Sequence, residues 1–233
     1  MKLLRGDGPI LCVGHRGAAA LAPPNTVAAV EAALALDVDF VELDVLAGPR
    51  SSLLIGHSHR ELEAEPAAPE DVFSLLESSP STGVLVDVKG AGFEDRLVES
   101  LRRHGLVERA VVCTNKLSTL QELRRLEPRL TRSRTYPPSR LYLWGRRTRI
   151  PLGGPAWFPM RLMLPYRLGG LLGDAGATAL TLRHTLVTRR VVERAHALGA
   201  AVFVWTVNDP ALVRRLDSLG VDGVITDDPR IVS

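Results

Sequence analysis

Short runs of β-branched and apolar residues alternate with segments of helical periodicity along this chain of 233 residues. Such alternation predicts parallel strands that are joined by crossover helices. We expect strands at residues 9–14, 39–45, 52–56, 83–89, 110–114, 131–136, 177–182, 201–206 and 223–227. We expect helices at residues 26–36, 93–104, 118–126, 188–198 and 210–219.

The third of these strands does not fit a parallel arrangement. Only 13 positions separate Asp44 from His57, whereas a parallel return needs a crossover of about a dozen residues between the strands themselves. Residues 48–52 (GPRSS) have turn composition and leave no room for a helix. The third run is therefore predicted to form an antiparallel hairpin arm that brings His57 back over the second strand. The remaining eight strands predict a single α/β domain over residues 1–233, a (β/α)8 TIM barrel.

Residues 137–176 contain no predicted strand, which is unusual for a loop in a compact domain. We expect a capping excursion on the active-site face, with a helix within residues 159–172 that Pro165 would kink. Its aromatic and apolar residues with arginines suit a lipid interface; the alternative is an internal lid whose aromatic residues pack on the barrel or on a second subunit. These residues are Trp144, Trp157, Phe158 and 162–164, with Arg140, Arg146, Arg147, Arg149, Arg161 and Arg167.

The formal net charge of +3 and the pI near 9.2 are compatible with an anionic partner, such as a phosphate ester or an acidic membrane surface. The arginine-rich residues 124–149 contain no recognisable nucleic-acid-binding module, so nucleic acid is not expected as a partner. No apolar run approaches the roughly 18 residues of a membrane span. Arg5 and Asp7 interrupt the N-terminus before a signal peptide could form. We therefore expect a cytoplasmic protein with room for peripheral membrane contact. The oligomeric state is left open.

Polar residues cluster where the predicted strands end, and in an α/β barrel these ends form the active-site face. Glu42 and Asp44 are two apart on one strand, so their side chains point the same way. Asp87 would approach from the neighbouring strand. Three carboxylates suit one hard divalent cation, Mg²⁺ or Ca²⁺. The alternative is a purely structural network in which Arg16 and Lys89 neutralise them.

The other polar residues at the strand ends suit a phosphodiester. Arg16 can bind two non-bridging oxygens, and Lys89 supplies a point charge. His15 and His57 offer a base, or a nucleophile, and an acid, since imidazole titrates near neutral pH. Trp205 ends a late strand, where it could pack in the core or contact a choline-like head group through a cation–π interaction.

Ordered motifs across the chain resemble the glycerophosphodiester phosphodiesterase family. They are a His-Arg-Gly strand end, a Pro-x-Asn-Thr helix start and Glu-x-Asp within residues 14–45, then His57, the Asp-Val-Lys of residues 87–89, Trp-Thr-Val-Asn at 205–208 and Gly-x-Asp-Gly-x-x-Thr-Asp-x-Pro at 220–229. The match is weak over residues 110–180. The resemblance implies metal-dependent hydrolysis of glycerophosphodiesters to glycerol 3-phosphate and an alcohol, or action on related lysophospholipids. A barrel that binds phosphate esters without cleaving them is the alternative.

Three residues depart from the family pattern. Pro24 replaces a glutamate, and Asp87 replaces a glutamate metal ligand that is one methylene longer. Ser58 replaces the aspartate that usually follows the second histidine. His59 lies close to His57, but His57 directly ends the apolar run and is the preferred candidate.

Overall fold

The computed structural model describes residues 2–49, 52–60, 67–138 and 157–232. Eight parallel strands close into a barrel, because the first strand pairs in parallel with both the second and the last. Together with one strand outside the barrel, the described strands are β1 (Leu11–Gly14), β2 (Phe40–Ala47), β3 (Leu53–Ile55), β4 (Gly83–Val88), β5 (Ala110–Thr114), β6 (Thr131–Tyr136), β7 (Ala179–Arg183), β8 (Ala201–Trp205) and β9 (Gly223–Thr226). The predicted TIM barrel is confirmed.

The remaining strand, β3, lies outside the barrel. It pairs antiparallel with β2, with Val45 opposite Ile55 and Ala47 opposite Leu53. The hairpin places the amide of Gly56 within 2.9 Å of the Asp44 carbonyl oxygen. His57 therefore follows directly above the end of β2, as the spacing predicted.

Helices surround the barrel: α1 (Val27–Leu34), α2 (Pro69–Glu77), α3 (Glu94–Arg103), α4 (Leu117–Leu126), α5 (Trp157–Gly173), α6 (Arg189–Ala197) and α7 (Pro210–Ser218). Side-chain oxygens cap several of them, as Thr26 does for α1 and Thr188 for α6. Helix α2 was not predicted. Its signals are local: Pro69 stands in the first turn with two acidic residues, and Val72, Phe73 and Leu76 form its buried face.

Every second residue along each strand points into the barrel, and these inward residues change from apolar to polar towards the C-terminal end of the strand. On β2 the inward series runs from Phe40 through Glu42 to Asp44. Phe40 meets Phe203 of β8 edge-to-face at 5.8 Å and fills the lower part of the barrel. The apolar layer below thus leaves the charged residues together at the upper end.

The described half of the predicted excursion is an ordinary crossover helix. Helix α5 continues through Pro165 and buries Leu164, Leu168 and Leu172 in the outer core beside α6. The predicted helix within residues 159–172 is confirmed, and its buried leucines pack in the outer core of the barrel. Residues 139–156, including Trp144, Arg140, Arg146, Arg147 and Arg149, lie outside the described residues, as does the side chain of Trp157. Among the described helices, none has the length and hydropathy to cross a bilayer.

Candidate active site

A cavity of about 710 Å³ opens at the C-terminal ends of the barrel strands. All eight residues singled out from the sequence line it, so the fold brings together side chains that are spread over most of the chain. They are His15, Arg16, Glu42, Asp44, His57, Asp87, Lys89 and Trp205.

Asp44 is the centre of the charged network and is almost completely buried. Its Oδ2 lies 2.8 Å from Arg16 Nε, and its Oδ1 lies 2.6 Å from Lys89 Nζ. Burial alone would raise the pKa of Asp44, but His57, Lys89 and Arg16 outweigh it and hold the pKa well below its usual range. Asp44 therefore stays ionised.

Lys89 lies between Asp44 and Asp87 and forms ion pairs with both. Burial would lower the pKa of Lys89, but the charges of Asp87, Asp44 and Glu42 raise it above its usual value. The ammonium group is thus a permanent positive charge at the base of the cavity.

Glu42 is buried and lacks a strong cationic partner within the described part of the chain. Its Oε2 accepts the backbone N–H of Arg16 at 2.9 Å and lies 3.9 Å from His15 Nε2. Burial and the neighbouring Asp44 charge raise the pKa of Glu42 to about 7. A carboxylate in this environment favours either a proton or an additional cation.

Glu42, Asp44 and Asp87 each offer an oxygen atom, and the three atoms lie within 4.8 Å of one another. Oxygen ligands of this kind suit Mg²⁺ or Ca²⁺. The incompletely compensated Glu42 also fits a bound divalent cation. The shorter Asp87 side chain still reaches this group, although it stands where the family pattern has glutamate.

His15 is held by a residue that sequence reasoning did not single out. Its Nδ1 donates to Oδ1 of Asp227 at 2.5 Å, and its backbone N–H donates to Thr226 at 2.7 Å. Burial would lower the pKa of His15, but the Asp227 hydrogen bond and the Glu42 charge raise it above its usual value. Asn208 in turn donates to the other oxygen of Asp227.

His57 has a more exposed side chain, at 40%. Its Nδ1 lies 2.9 Å from Arg16 Nη2 and 3.2 Å from Asp44 Oδ2. A neutral ring can accept from Arg16, whereas a protonated ring can donate to Asp44. The Nδ1 atom of His57 therefore has a possible hydrogen-bond partner as an acceptor and as a donor.

Asn25 is a second residue whose position the sequence did not reveal. Its Nδ2 donates to Asp44 Oδ2 at 3.0 Å, and its Oδ1 accepts the Asp44 backbone N–H at 3.1 Å. Asn25 adopts φ +63°, a left-handed conformation that asparagine tolerates better than most residues. The Pro-x-Asn-Thr pattern was a usable signal, but only the folded loop shows that its asparagine holds Asp44.

The remaining departures lie at the rim of the site. Ser58 lines the main cavity, and Pro24 lines an adjacent one beside His15 and Asp227. His57 lines the main cavity and His59 does not.

Comparison with known proteins agrees with this geometry. The model of the glycerophosphoryl diester phosphodiesterase family matches residues 15–52 and 74–231. A glycerophosphodiester phosphodiesterase of Caldanaerobacter subterraneus is 23% identical over 94% of this chain and 94% of its own. The probable glycerophosphodiester phosphodiesterase 2 of Mycobacterium tuberculosis is 27% identical over 97% and 90%. The solved structure of an Oleispira antarctica phosphodiesterase with the product sn-glycerol-3-phosphate is 18% identical, covers 96% of this chain and 95% of that one, and superposes with a TM-score of 0.73.

Proposed function

The chain belongs to the glycerophosphoryl diester phosphodiesterase family and is therefore a phosphoric diester hydrolase, and we propose that it cleaves glycerophosphodiesters to glycerol 3-phosphate and an alcohol with the help of one divalent cation. One observation carries the proposal. Two histidines, two fixed cations and three carboxylates face a single cavity.

Arg16 and Lys89 bind the phosphate in this proposal. Both cationic groups lie within 2.8 Å of the same buried carboxylate, Asp44. That contact fixes their positions before substrate arrives, so they can stabilise negative charge as it grows on the phosphoryl oxygens. Arg16 is aligned further by its backbone N–H bond to Glu42.

His15 acts as the base and His57 as the acid. Asp227 holds Nδ1 of His15 and stabilises the charge that the ring gains on accepting a proton from water. The water oxygen forms a new bond to phosphorus as the bond to the alcohol oxygen breaks. His57 gives its proton to that leaving oxygen, and both histidines then return to their starting states by exchange with solvent.

Glu42, Asp44 and Asp87 would hold the divalent cation, and their oxygen ligands favour Mg²⁺ or Ca²⁺. Such an ion supplies Lewis-acid polarisation of the phosphoryl group. Trp205 lines the same cavity and would contact the alcohol part of the substrate.

The test is release of glycerol 3-phosphate from glycerophosphocholine with Mg²⁺, Ca²⁺ or Mn²⁺, with and without a chelator. We expect release to depend on the cation and to fall by about 10²-fold or more in His15→Ala. Activity that a chelator does not lower, or full activity in His15→Ala, would contradict the mechanism. Thermal stabilisation by phosphodiesters without any turnover would favour the binding-only alternative.

Lysophospholipids at a membrane surface are a further proposed substrate. Helix α5 exposes Phe158, Leu162, Met163 and Tyr166. Because a crossover helix begins near the C-terminal strand ends, Phe158 and Leu162 lie towards the cavity side of the barrel. Exposed apolar residues beside the exposed Arg167 suit the boundary between lipid tails and anionic head groups.

Vesicle co-sedimentation with anionic lipids tests this idea. Leu162→Ser should weaken binding and lower the turnover of lysophospholipid relative to glycerophosphocholine. Leu36→Ser is the matched control, because Leu36 is also exposed but follows α1 at the opposite end of the barrel. If the wild-type protein does not co-sediment with anionic vesicles at low salt, membrane contact is refuted.

A further inference from the structure

The cavity has an uneven distribution of charge. Its three carboxylates come from β2 and β4, where Arg16 and Lys89 face them. Among the described lining residues that β5 to β8 contribute, Lys116 alone carries a charge. A substrate group that faces the described lining residues of β5 to β8 therefore meets one cation and no anion.

Lys116 follows β5, which is the neighbour of the strand that carries Asp87. Asp87 is paired with Cys113 in the sheet, and Thr114 Oγ1 donates to the Val88 carbonyl at 3.1 Å. Lys116 and Lys89 thus extend from the upper ends of adjacent strands. Unlike Lys89, Lys116 is exposed, which leaves its ammonium group accessible to a ligand in the cavity.

The charge of Lys116 is not neutralised within the described part of the chain. Arg16 and Lys89 both pair with Asp44, but no described carboxylate forms an ion pair with Lys116. The first turn of α4, which begins directly after Lys116, contains no acidic residue. Lys116 is a positive charge beyond the pairs that bind the diester phosphate.

We propose that Lys116 is a specificity residue that selects glycerophosphodiesters whose alcohol carries a negative charge of its own, such as a phosphate monoester. This inference rests on the proposed function, since it assumes that a diester occupies the cavity. The glycerol part of the substrate is neutral, so the second anion must belong to the other alcohol. An ammonium group attracts such an anion and repels the cation of a choline-like group.

A pair of substrates that differ by one charged group tests the proposal. Glycerophosphoinositol 4-phosphate and glycerophosphoinositol share every other group, and glycerol 3-phosphate release gives kcat/KM for each. We expect the ratio of the two values to favour the phosphorylated substrate and to fall about 10-fold in Lys116→Gln. Lys116→Arg should keep the ratio, and Lys2→Gln is the matched control because Lys2 is exposed but does not line the cavity.

An equal ratio in wild-type protein and Lys116→Gln would overturn the proposal and leave Lys116 as a solvated surface charge. Calorimetry separates this failure from failure of the proposed function. In a His15→Ala background, Lys116→Gln should raise the Kd of the phosphorylated substrate relative to that of the unphosphorylated one by about 10-fold, the factor expected for kcat/KM. If no protein releases glycerol 3-phosphate, the proposed function fails, but an unchanged ratio of the two Kd values would still refute the role of Lys116.

Discussion

The Nδ1 atom of His15 lies 2.5 Å from Oδ1 of Asp227, although 212 positions separate the two residues in the chain. Closure of the barrel produces this contact, since β1 and β9 pair with Gly14 opposite Thr226. The first and last barrel strands thus bring a carboxylate and an imidazole together, and in the proposed mechanism the carboxylate fixes the orientation of the imidazole.

Asp227→Asn should lower kcat by about 10²-fold, because the amide cannot stabilise the charged ring as a carboxylate does. We expect KM for glycerophosphocholine to change much less, since Asp227 lines the adjacent cavity and not the main one. Asp228→Asn is the matched control, because Asp228 pairs with Arg230 at 2.7 Å. Equal losses of kcat in the two variants would contradict the role of Asp227.

Asn25→Ala should destabilise the fold by about 1–3 kcal/mol, because it leaves the buried N–H of Asp44 without a described side-chain partner. Activity should fall as well, since Asp44 positions Arg16 and Lys89. Urea unfolding and kcat measure the two effects. Thr26→Ala removes the cap of α1 and the hydrogen bond from the Thr26 hydroxyl to the Pro23 carbonyl, and it should cost about 0.5–2 kcal/mol, with kcat of the folded protein unchanged. If Thr26→Ala lowers kcat as much as Asn25→Ala does, reduced stability alone would explain both losses of kcat.

Glu127 should make the stability of the protein depend on acid pH. Hydrogen bonds from Arg129, and from Arg102, hold the pKa of Glu127 at about 2 against burial. The unfolded value is about 4.3, so the stabilisation is complete above that pH and is lost as the pH falls towards 2. Because both arginines are more than half exposed, the effect should be about 1 kcal/mol. Tm of the wild type minus Tm of Glu127→Gln should therefore shrink between about pH 5 and pH 2, and a constant difference would contradict the assignment.

Gly83→Ala should destabilise the barrel by about 1–3 kcal/mol. An added Cβ would lie 2.4 Å from the Phe40 ring and 2.8 Å from the Arg109 carbonyl oxygen, so the packed lower layer would have to shift. Gly170→Ala is the matched control. Gly170 lies within α5 with no atom within 4 Å of an added Cβ, and alanine there should stabilise the helix by up to about 1 kcal/mol. Urea midpoints that move in the same direction for both variants would show that the contact with Phe40 is unimportant.

Local patterns in the sequence were sufficient for the barrel and for most of the candidate site. Alternation of strands and helices is a short-range property, and strand-end residues on a parallel barrel must meet on one face. The position of His57 followed from the short spacing after Asp44, because a turn without a helix can only return antiparallel. Helix α2 was not predicted, although Pro69 and its acidic first turn are local signals.

Contacts between distant segments were decided only by the tertiary structure. Asp227 meets His15 because the last strand closes against the first, and Asn25 meets Asp44 because a left-handed turn folds the loop over β2. That no carboxylate among the described residues pairs with Lys116 depends in the same way on where the fold places the carboxylates. Sequence determines which side chains stand at each strand end, but pairing between side chains depends on distances of a few ångströms that only packing of the whole barrel sets.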